Sequence, residues 1–203
     1  MKNKIIKLAI AMAAIFTVAC NSANKPAATN TENDTSTPVI TSPANAASTN
    51  NKLGVDAKTS ASVREMTATY LQLKNALTKD NSSDAATAGK ALSEDFSKLD
   101  KSALTPKQNK TYTDIAVDAK EMAEHIGMSG GKLPHQREHF DMLSKDMVDL
   151  LKLFGAGQPL YVDHCPMYNN KKGAIWLSES KGIKNPYMGS AMSTCGTIQE
   201  ELK

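Results

Sequence analysis

The chain has 203 residues, 40% hydrophobic and 22% charged, which fits one domain with added polar segments. Its net charge of +3 comes from Lys2, Lys4 and Lys7, because the rest of its 24 basic residues balance 21 acidic ones. Nucleic-acid binding depends on clustered basic side chains. We therefore expect no nucleic-acid partner.

The N-terminus has the layout of a bacterial lipoprotein signal. Lysines precede an apolar run over residues 8–18, which is too short to span a bilayer, and the run ends at TVAC, residues 17–20, which resembles a lipobox. We expect residues 1–19 to be a signal peptide and Cys20 to be acylated. The expected location is the periplasm, with the lipid anchor in the outer membrane. The alternative is an ordinary secreted protein that is cleaved nearby.

Residues 20–57 are predicted to form a disordered tether. They are rich in Asn, Thr, Ser, Ala and Pro, and no aromatic residue occurs between Phe16 and Tyr70. Such a segment cannot bury enough apolar surface to offset its loss of conformational entropy. The folded domain is therefore expected over residues 58–203.

Four amphipathic helices are predicted between residues 60 and 154. Their start signals are Ser62 with Glu65, residues 81–84, Thr105-Pro106 and Pro134. Their apolar stripes, at spacings of three and four, are Val63, Met66, Tyr70, Leu73 and Leu77; Ala85, Ala88, Leu92, Phe96 and Leu99; Tyr112, Ile115, Ala119, Met122 and Ile126; and Phe140, Leu143, Met147, Leu150 and Phe154. Short connections between them predict a mainly α fold, an antiparallel four-helix bundle.

Residues 159–203 have a different composition and are predicted to be rich in turns. Residues 160–162 and 174–177 are expected to be short strands, separated by a turn over residues 169–173. The segment has too few apolar residues to fold alone, so we expect it to pack on the helices. Trp176, the one tryptophan, is the expected anchor.

Residues 135–139 read His-Gln-Arg-Glu-His and match the H-x-x-E-H signature of inverted zinc proteases. Histidines at i and i+4 share a helix face and could hold zinc. The protease interpretation is rejected, because enzymes of that type have a far larger fold and a distal glutamate. The alternative is a solvated His135 and a His139 at the edge of the bundle, and the same ambiguity applies to His125.

The C-terminal segment carries a distinctive motif. In order, it contains His164-Cys165-Pro166-Met167, Trp176-Leu177-Ser178-Glu179, Asn185-Pro186-Tyr187, Gly189, Met192 and Cys195-Gly196. Arg137, Phe140, Leu143 and Ser144 add an R-x-x-F-x-x-L-S pattern upstream.

These motifs resemble an uncharacterised domain family of some Gram-negative bacteria. That family occurs as free lipoproteins and as the C-terminal extension of periplasmic adaptor subunits of copper/silver efflux pumps. The resemblance covers roughly residues 60–203. It implies a role in handling heavy metals, with an efflux adaptor as partner, but brings no established biochemical activity.

The residue types agree with that implication. Cu(I) prefers thiolate and thioether ligands and also accepts imidazole. Cys165 and Met167 would share one face of a strand, and Met192 and Cys195 would be neighbours on a helical turn. We expect a Cu(I) site made by Cys165, Met167, Met192 and Cys195, with His164 or His139 completing it. On a strand, His164 would point away from its neighbour Cys165.

Two other interpretations remain open. In an oxidising periplasm Cys165 and Cys195 could form a disulfide. The protein would then be an interaction module of an envelope complex that docks through Trp176 and residues 185–187 and binds no metal. An enzyme is the weakest hypothesis, since the sequence has no C-x-x-C motif, nucleophile triad or phosphate loop.

Overall fold

Four long helices precede a small sheet in the computed structural model, which describes residues 54–203. The expected signal peptide, Cys20 and most of the tether lie outside these residues. The helices are α1 (Ala57–Thr78), α2 (Ser82–Lys98), α3 (Pro106–Met128) and α4 (Leu133–Phe154), and a short 3-10 turn, Lys101–Ala103, lies between α2 and α3. No helix among these residues has both the length and the apolarity needed to cross a membrane.

The helix ends follow local capping rules. Asp56 caps α1 by accepting hydrogen bonds from the Lys58 and Thr59 amides, so this helix begins five residues before Ser62. The predicted capping box of Ser62 with Glu65 is therefore wrong. Thr105 does form a capping box, with Gln108, at the start of α3, and α4 ends at Gly155, whose φ is 87°.

The predicted apolar stripes form the core. Each helix contacts the next, and α1 also contacts α4. All twenty stripe residues are buried except Ile115 and Met122, which are partly buried. The mainly helical class is thus confirmed, and its stability comes from apolar faces that pack against one another.

The C-terminal segment forms a three-stranded antiparallel sheet. Its strands are β1 (Leu160–Cys165), β2 (Ala174–Ser178) and β3 (Thr197–Leu202), in the order β2-β1-β3. The first two strands were predicted, and where a turn was expected over residues 169–173 the chain reverses through a short helical segment, Tyr168–Lys171, in which Asn169 and Asn170 have positive φ. The third strand was not predicted, because its residues are polar and mostly exposed.

Aromatic side chains attach this sheet to the helices. The Leu177 amide donates to the Tyr70 hydroxyl at 3.1 Å, and the Tyr187 hydroxyl donates to the Ile175 carbonyl. The Tyr187 ring lies between Phe140 and Trp176, with centroid distances of 5.6 and 5.9 Å. Trp176 is fully buried, which confirms that it anchors the segment.

Candidate functional site: paired cysteines and a histidine cluster

Two cysteines from distant parts of the C-terminal segment lie side by side. Cys165 ends β1 and is fully buried, whereas Cys195 follows the 3-10 turn Gly189–Met192 and is partly exposed. Their Sγ atoms are 3.5 Å apart. A disulfide bond is ~2.05 Å long, so the structure holds two free thiols in contact.

Asn185 holds the loop that carries Cys195. This buried side chain donates from Nδ2 to the Cys195 carbonyl at 2.6 Å, and its Oδ1 accepts from the Tyr187 and Met188 amides. The Asn185 amide donates to the Ser193 carbonyl at 2.8 Å. Asn185 thus donates two of these hydrogen bonds and accepts two, and together they hold the loop that carries Cys195. From the sequence, Asn185 was recognised only as part of a turn motif, and its role in holding the Cys195 loop was not predicted.

The two thiols differ in acidity. Burial raises the pKa of Cys165, but hydrogen bonds from the Met167 backbone and the Asn185 side chain outweigh it. Further hydrogen bonds from Cys195 and the Tyr168 backbone also favour the thiolate, so the pKa of Cys165 lies below its usual value. Hydrogen bonding to Cys165 raises the pKa of Cys195. The Cys165 sulfur is therefore the first to ionise.

The other predicted sulfur ligands flank the cysteines and face solvent. Met167 is 48% exposed and Met192 is 39% exposed. The Met192 carbonyl accepts a hydrogen bond from the Cys195 amide at 3.2 Å. Their backbones thus belong to the two segments that meet at the thiol pair, and their thioethers are accessible.

The two predicted histidine ligands lie in different surroundings. His164 precedes Cys165 on β1, and its ring lies against Gly173, where any side chain would collide with the imidazole. His139 is on α4, where its ring nitrogens contact Met122 and His135. The structure therefore groups His139 with residues of the helices.

Three histidines form a cluster between α3 and α4. His125, His135 and His139 each offer one ring nitrogen within 4.8 Å of the other two, the only such group of three histidine, cysteine or carboxylate ligands in residues 54–203. The His139 ring is stacked on His125 and meets His135 edge-on, at centroid distances of 4.6 and 4.5 Å. The i, i+4 spacing predicted the last pair, whereas the position of His125 depends on how α3 packs on α4.

The surface suggested for partner docking is not available in this fold. Trp176 and Asn185 are fully buried, Tyr187 is 3% exposed, and Pro186 is also buried. These residues hold the C-terminal segment together, so the expectation that they form an exposed docking face is wrong.

Residues 54–203 thus define a mainly helical protein with a thiol pair and a histidine cluster. Residues 66–159 match the family described as "Protein of unknown function (DUF3347)". The match spans most of the four helices, including His125, His135 and His139, and ends just before β1. No curated protein and no solved structure matches the chain.

Proposed function

We propose that this protein is a lipid-anchored periplasmic metal-binding protein whose cargo is Cu(I). The observation that carries the proposal is the contact between the free thiols of Cys165 and Cys195, 3.5 Å apart. Cu(I) is a soft ion and selects thiolates. In a tetrahedral site with metal–sulfur bonds of ~2.3 Å, as zinc has, two sulfurs lie ~3.8 Å apart. Little movement would let both cysteines bind one ion.

The acidity of the pair also supports metal binding. Thiolates, not thiols, bind metals, and the hydrogen bonds around Cys165 favour its ionised form. Met167 and Met192 are accessible on the same two segments and would supply thioether sulfurs. Cys195 is partly exposed, and a site that is open to solvent on this side suits an ion that must be received and passed on.

The cellular setting is proposed from the sequence. The lipobox-like residues 17–20 would place the acylated Cys20 at the periplasmic side of a membrane, most naturally the outer one. The resemblance of the C-terminal motif suggests that the protein sequesters Cu(I) or hands it to the periplasmic adaptor of an efflux pump. We further infer that α1 to α4 form an antiparallel bundle, since short loops join successive helices.

The test is a Cu(I) titration of the full chain, purified in detergent, in competition with a chromophoric Cu(I) chelator before and after mild reduction. We expect about one tightly bound ion per chain in the reduced protein and its loss in Cys165→Ser/Cys195→Ser. Met167→Leu and Met192→Leu should weaken binding. Met128→Leu, at an exposed methionine of α3, is the matched control and should not.

Two other outcomes are informative. Binding that appears only after reduction would support the proposal with a redox-controlled site. Equal Cu(I) affinity in the double cysteine variant, or no uptake in either redox state, would contradict it. A Cys165–Cys195 disulfide with a purely structural role would then be the better interpretation.

A further inference from the structure

The histidine cluster lies where α3 ends and α4 begins. His125 is in the last turn of α3, and His135 and His139 occupy the first two turns of α4. The loop between these helices has only four residues, 129–132, so the positions of the three rings are set by two rigid helix ends. His125 and His135 are 42% and 47% exposed, which leaves the cluster open to solvent.

Neighbouring groups orient two of the rings. The Glu138 carboxylate lies 3.2 Å from Nδ1 of His135, and the Met122 sulfur lies 3.3 Å from Nδ1 of His139. A carboxylate only accepts hydrogen bonds and a thioether is a weak acceptor, so each contact favours a proton on Nδ1. A neutral imidazole with that proton carries its lone pair on Nε2.

The two Nε2 atoms then face each other. Nε2 of His135 and Nε2 of His139 are 3.2 Å apart, and two lone pairs at that distance repel unless a cation lies between them. Two imidazoles bound to one tetrahedral metal at ~2.0–2.1 Å have nitrogens ~3.3 Å apart. The distance therefore matches that of two ligands to one ion. His125 offers a ring nitrogen within 4.8 Å of a nitrogen of each of the other two, and a turn of its ring, now stacked on His139, would make it the third ligand.

The surroundings favour a cation. Glu121 is 3.7 Å from His125 Nε2, and Glu138 contacts His135, so two carboxylates flank the rings. A carboxylate that accepts from the distal nitrogen of a metal-bound histidine is a common arrangement and increases the basicity of the ligand. The Glu138–His135 pair reproduces it.

We propose that His125, His135 and His139 form a binding site for a borderline first-row divalent ion such as Zn²⁺, separate from the thiol pair. Imidazole is a good ligand for Zn²⁺, Cu²⁺ and Ni²⁺ and a poor one for Mg²⁺ and Ca²⁺. Three histidines leave a fourth position for water or an exchangeable ligand. This site differs from the proposed Cu(I) site in ligand type and in metal class.

The experiment separates the two sites by removing the cysteines. The full chain carrying Cys165→Ser/Cys195→Ser would be titrated with Zn²⁺ against a chromophoric zinc chelator at neutral pH. We expect about one Zn²⁺ per chain, and at least 100-fold weaker binding when His135→Ala/His139→Ala is added. Glu138→Gln should weaken binding about tenfold, as loss of an outer hydrogen-bond partner does.

The matched control is His164→Ala, which removes the one histidine of the four outside the cluster and should leave Zn²⁺ affinity unchanged.

Zn²⁺ should also raise the thermal midpoint of the cysteine-free protein and not that of its His135→Ala/His139→Ala derivative, whose fold is checked by circular dichroism. If this derivative is unfolded, His135→Gln alone provides the comparison. No Zn²⁺ uptake, or uptake insensitive to the cluster variants, would overturn the proposal. Because the cysteines are absent, neither result bears on Cu(I) binding.

Discussion

The guanidinium of Arg137 donates from Nε to the Pro186 carbonyl at 2.7 Å, which joins α4 directly to the loop before Cys195. The same side chain donates from Nη2 to the Leu77 carbonyl and to the Asp80 carboxylate. Asp80 in turn accepts hydrogen bonds from the amide and hydroxyl of Ser190. One arginine thus connects the end of α1, the start of α4 and the loop of the thiol pair.

Loss of this arginine should loosen the attachment of the C-terminal segment. We expect Arg137→Ala to lower the free energy of unfolding by ~2–3 kcal/mol, since it leaves several acceptors without their charged donor. Arg137→Lys should lose less. Urea unfolding measures both, and Lys110→Ala, which removes an exposed i, i+4 ion pair with Asp114, should leave stability nearly unchanged. Equal effects of Arg137→Ala and Lys110→Ala would contradict this role.

Asp80 should make stability depend on pH in the acid range. Hydrogen bonds from Ser190 and Arg137 lower its pKa to about 2, so its contribution is complete above the usual pKa of ~4 and is lost as the pH falls toward 2. We expect Asp80→Asn to cost ~1–2 kcal/mol at pH 7. The substitution keeps a side chain that tolerates the positive φ of this position.

The measurement is urea unfolding of wild type and Asp80→Asn at a series of pH values. The stability difference should shrink between pH 4 and pH 2, because the protonated aspartate loses its advantage over asparagine. A difference that stays constant over this range would show that the charge of Asp80 is not what stabilises the protein.

A buried lysine also ties α1 to the residue that follows β2. Lys74 is 1% exposed and contacts Glu179 at 2.8 Å, and Asn75 donates to the same carboxylate. Hydrogen bonds from Lys74 and Asn75 overcome burial and lower the pKa of Glu179. We expect Glu179→Gln to destabilise by ~1–3 kcal/mol, because the ammonium of Lys74 then lacks its partner.

Adding Lys74→Met should recover part of that loss, since a buried charge is then replaced by an apolar side chain. Urea unfolding at pH 6 tests this. Asp163 also interacts with the charge of Lys74, but burial raises its pKa to about 7. At pH 6 this carboxyl group is therefore mostly protonated and cannot replace Glu179 as the partner of Lys74. A double variant that is less stable than Glu179→Gln alone would contradict the explanation.

Asn185 should matter for Cu(I) binding although its side chain is not a proposed ligand. Asn185→Ala removes the hydrogen bonds that position the Cys195 backbone and favour the Cys165 thiolate. We expect Cu(I) affinity to fall by about 10–100-fold, the range for outer partners of metal ligands. Competition with a Cu(I) chelator measures this, and Asn75→Ala is the matched control. An unchanged Cu(I) affinity in Asn185→Ala would contradict the prediction, because it would show that the position of the Cys195 loop does not affect metal binding.

Local signals predicted the helical part well and the sheet only in part. Thr105-Pro106 and Gly155 act through their own backbone geometry, so their roles could be read from the sequence. The start of α1 was placed too late because Asp56 lies in a polar stretch that resembles the tether. β3 forms by pairing with β1, and its polar residues show no alternating apolar pattern from which a strand could be predicted.

For the site, residue chemistry was more informative than position. Cys165 and Cys195 were expected to meet, and the structure brings them together. His125 lies one position off the apolar stripe of its helix, so its stacking on His139 could be recognised only once the packing of α3 on α4 was known. Trp176 and Tyr187 have types common at protein surfaces that bind partners, yet here they are buried.

The strand order β2-β1-β3 has a consequence for when the thiol pair forms. Cys165 pairs with β2, but Cys195 lies 30 residues further along the chain, next to β3. The two thiols therefore meet only after Cys195 has been synthesised and its loop has folded back onto β1. Leu177 and Tyr187 of this segment pack on Tyr70 and Phe140 of the helices, so the segment needs helices that are already in place. We therefore expect the helices to assemble first. The two thiols then come together as the final step of folding, and reactivity of Cys165 toward an alkylating reagent would report how far a folding chain has progressed.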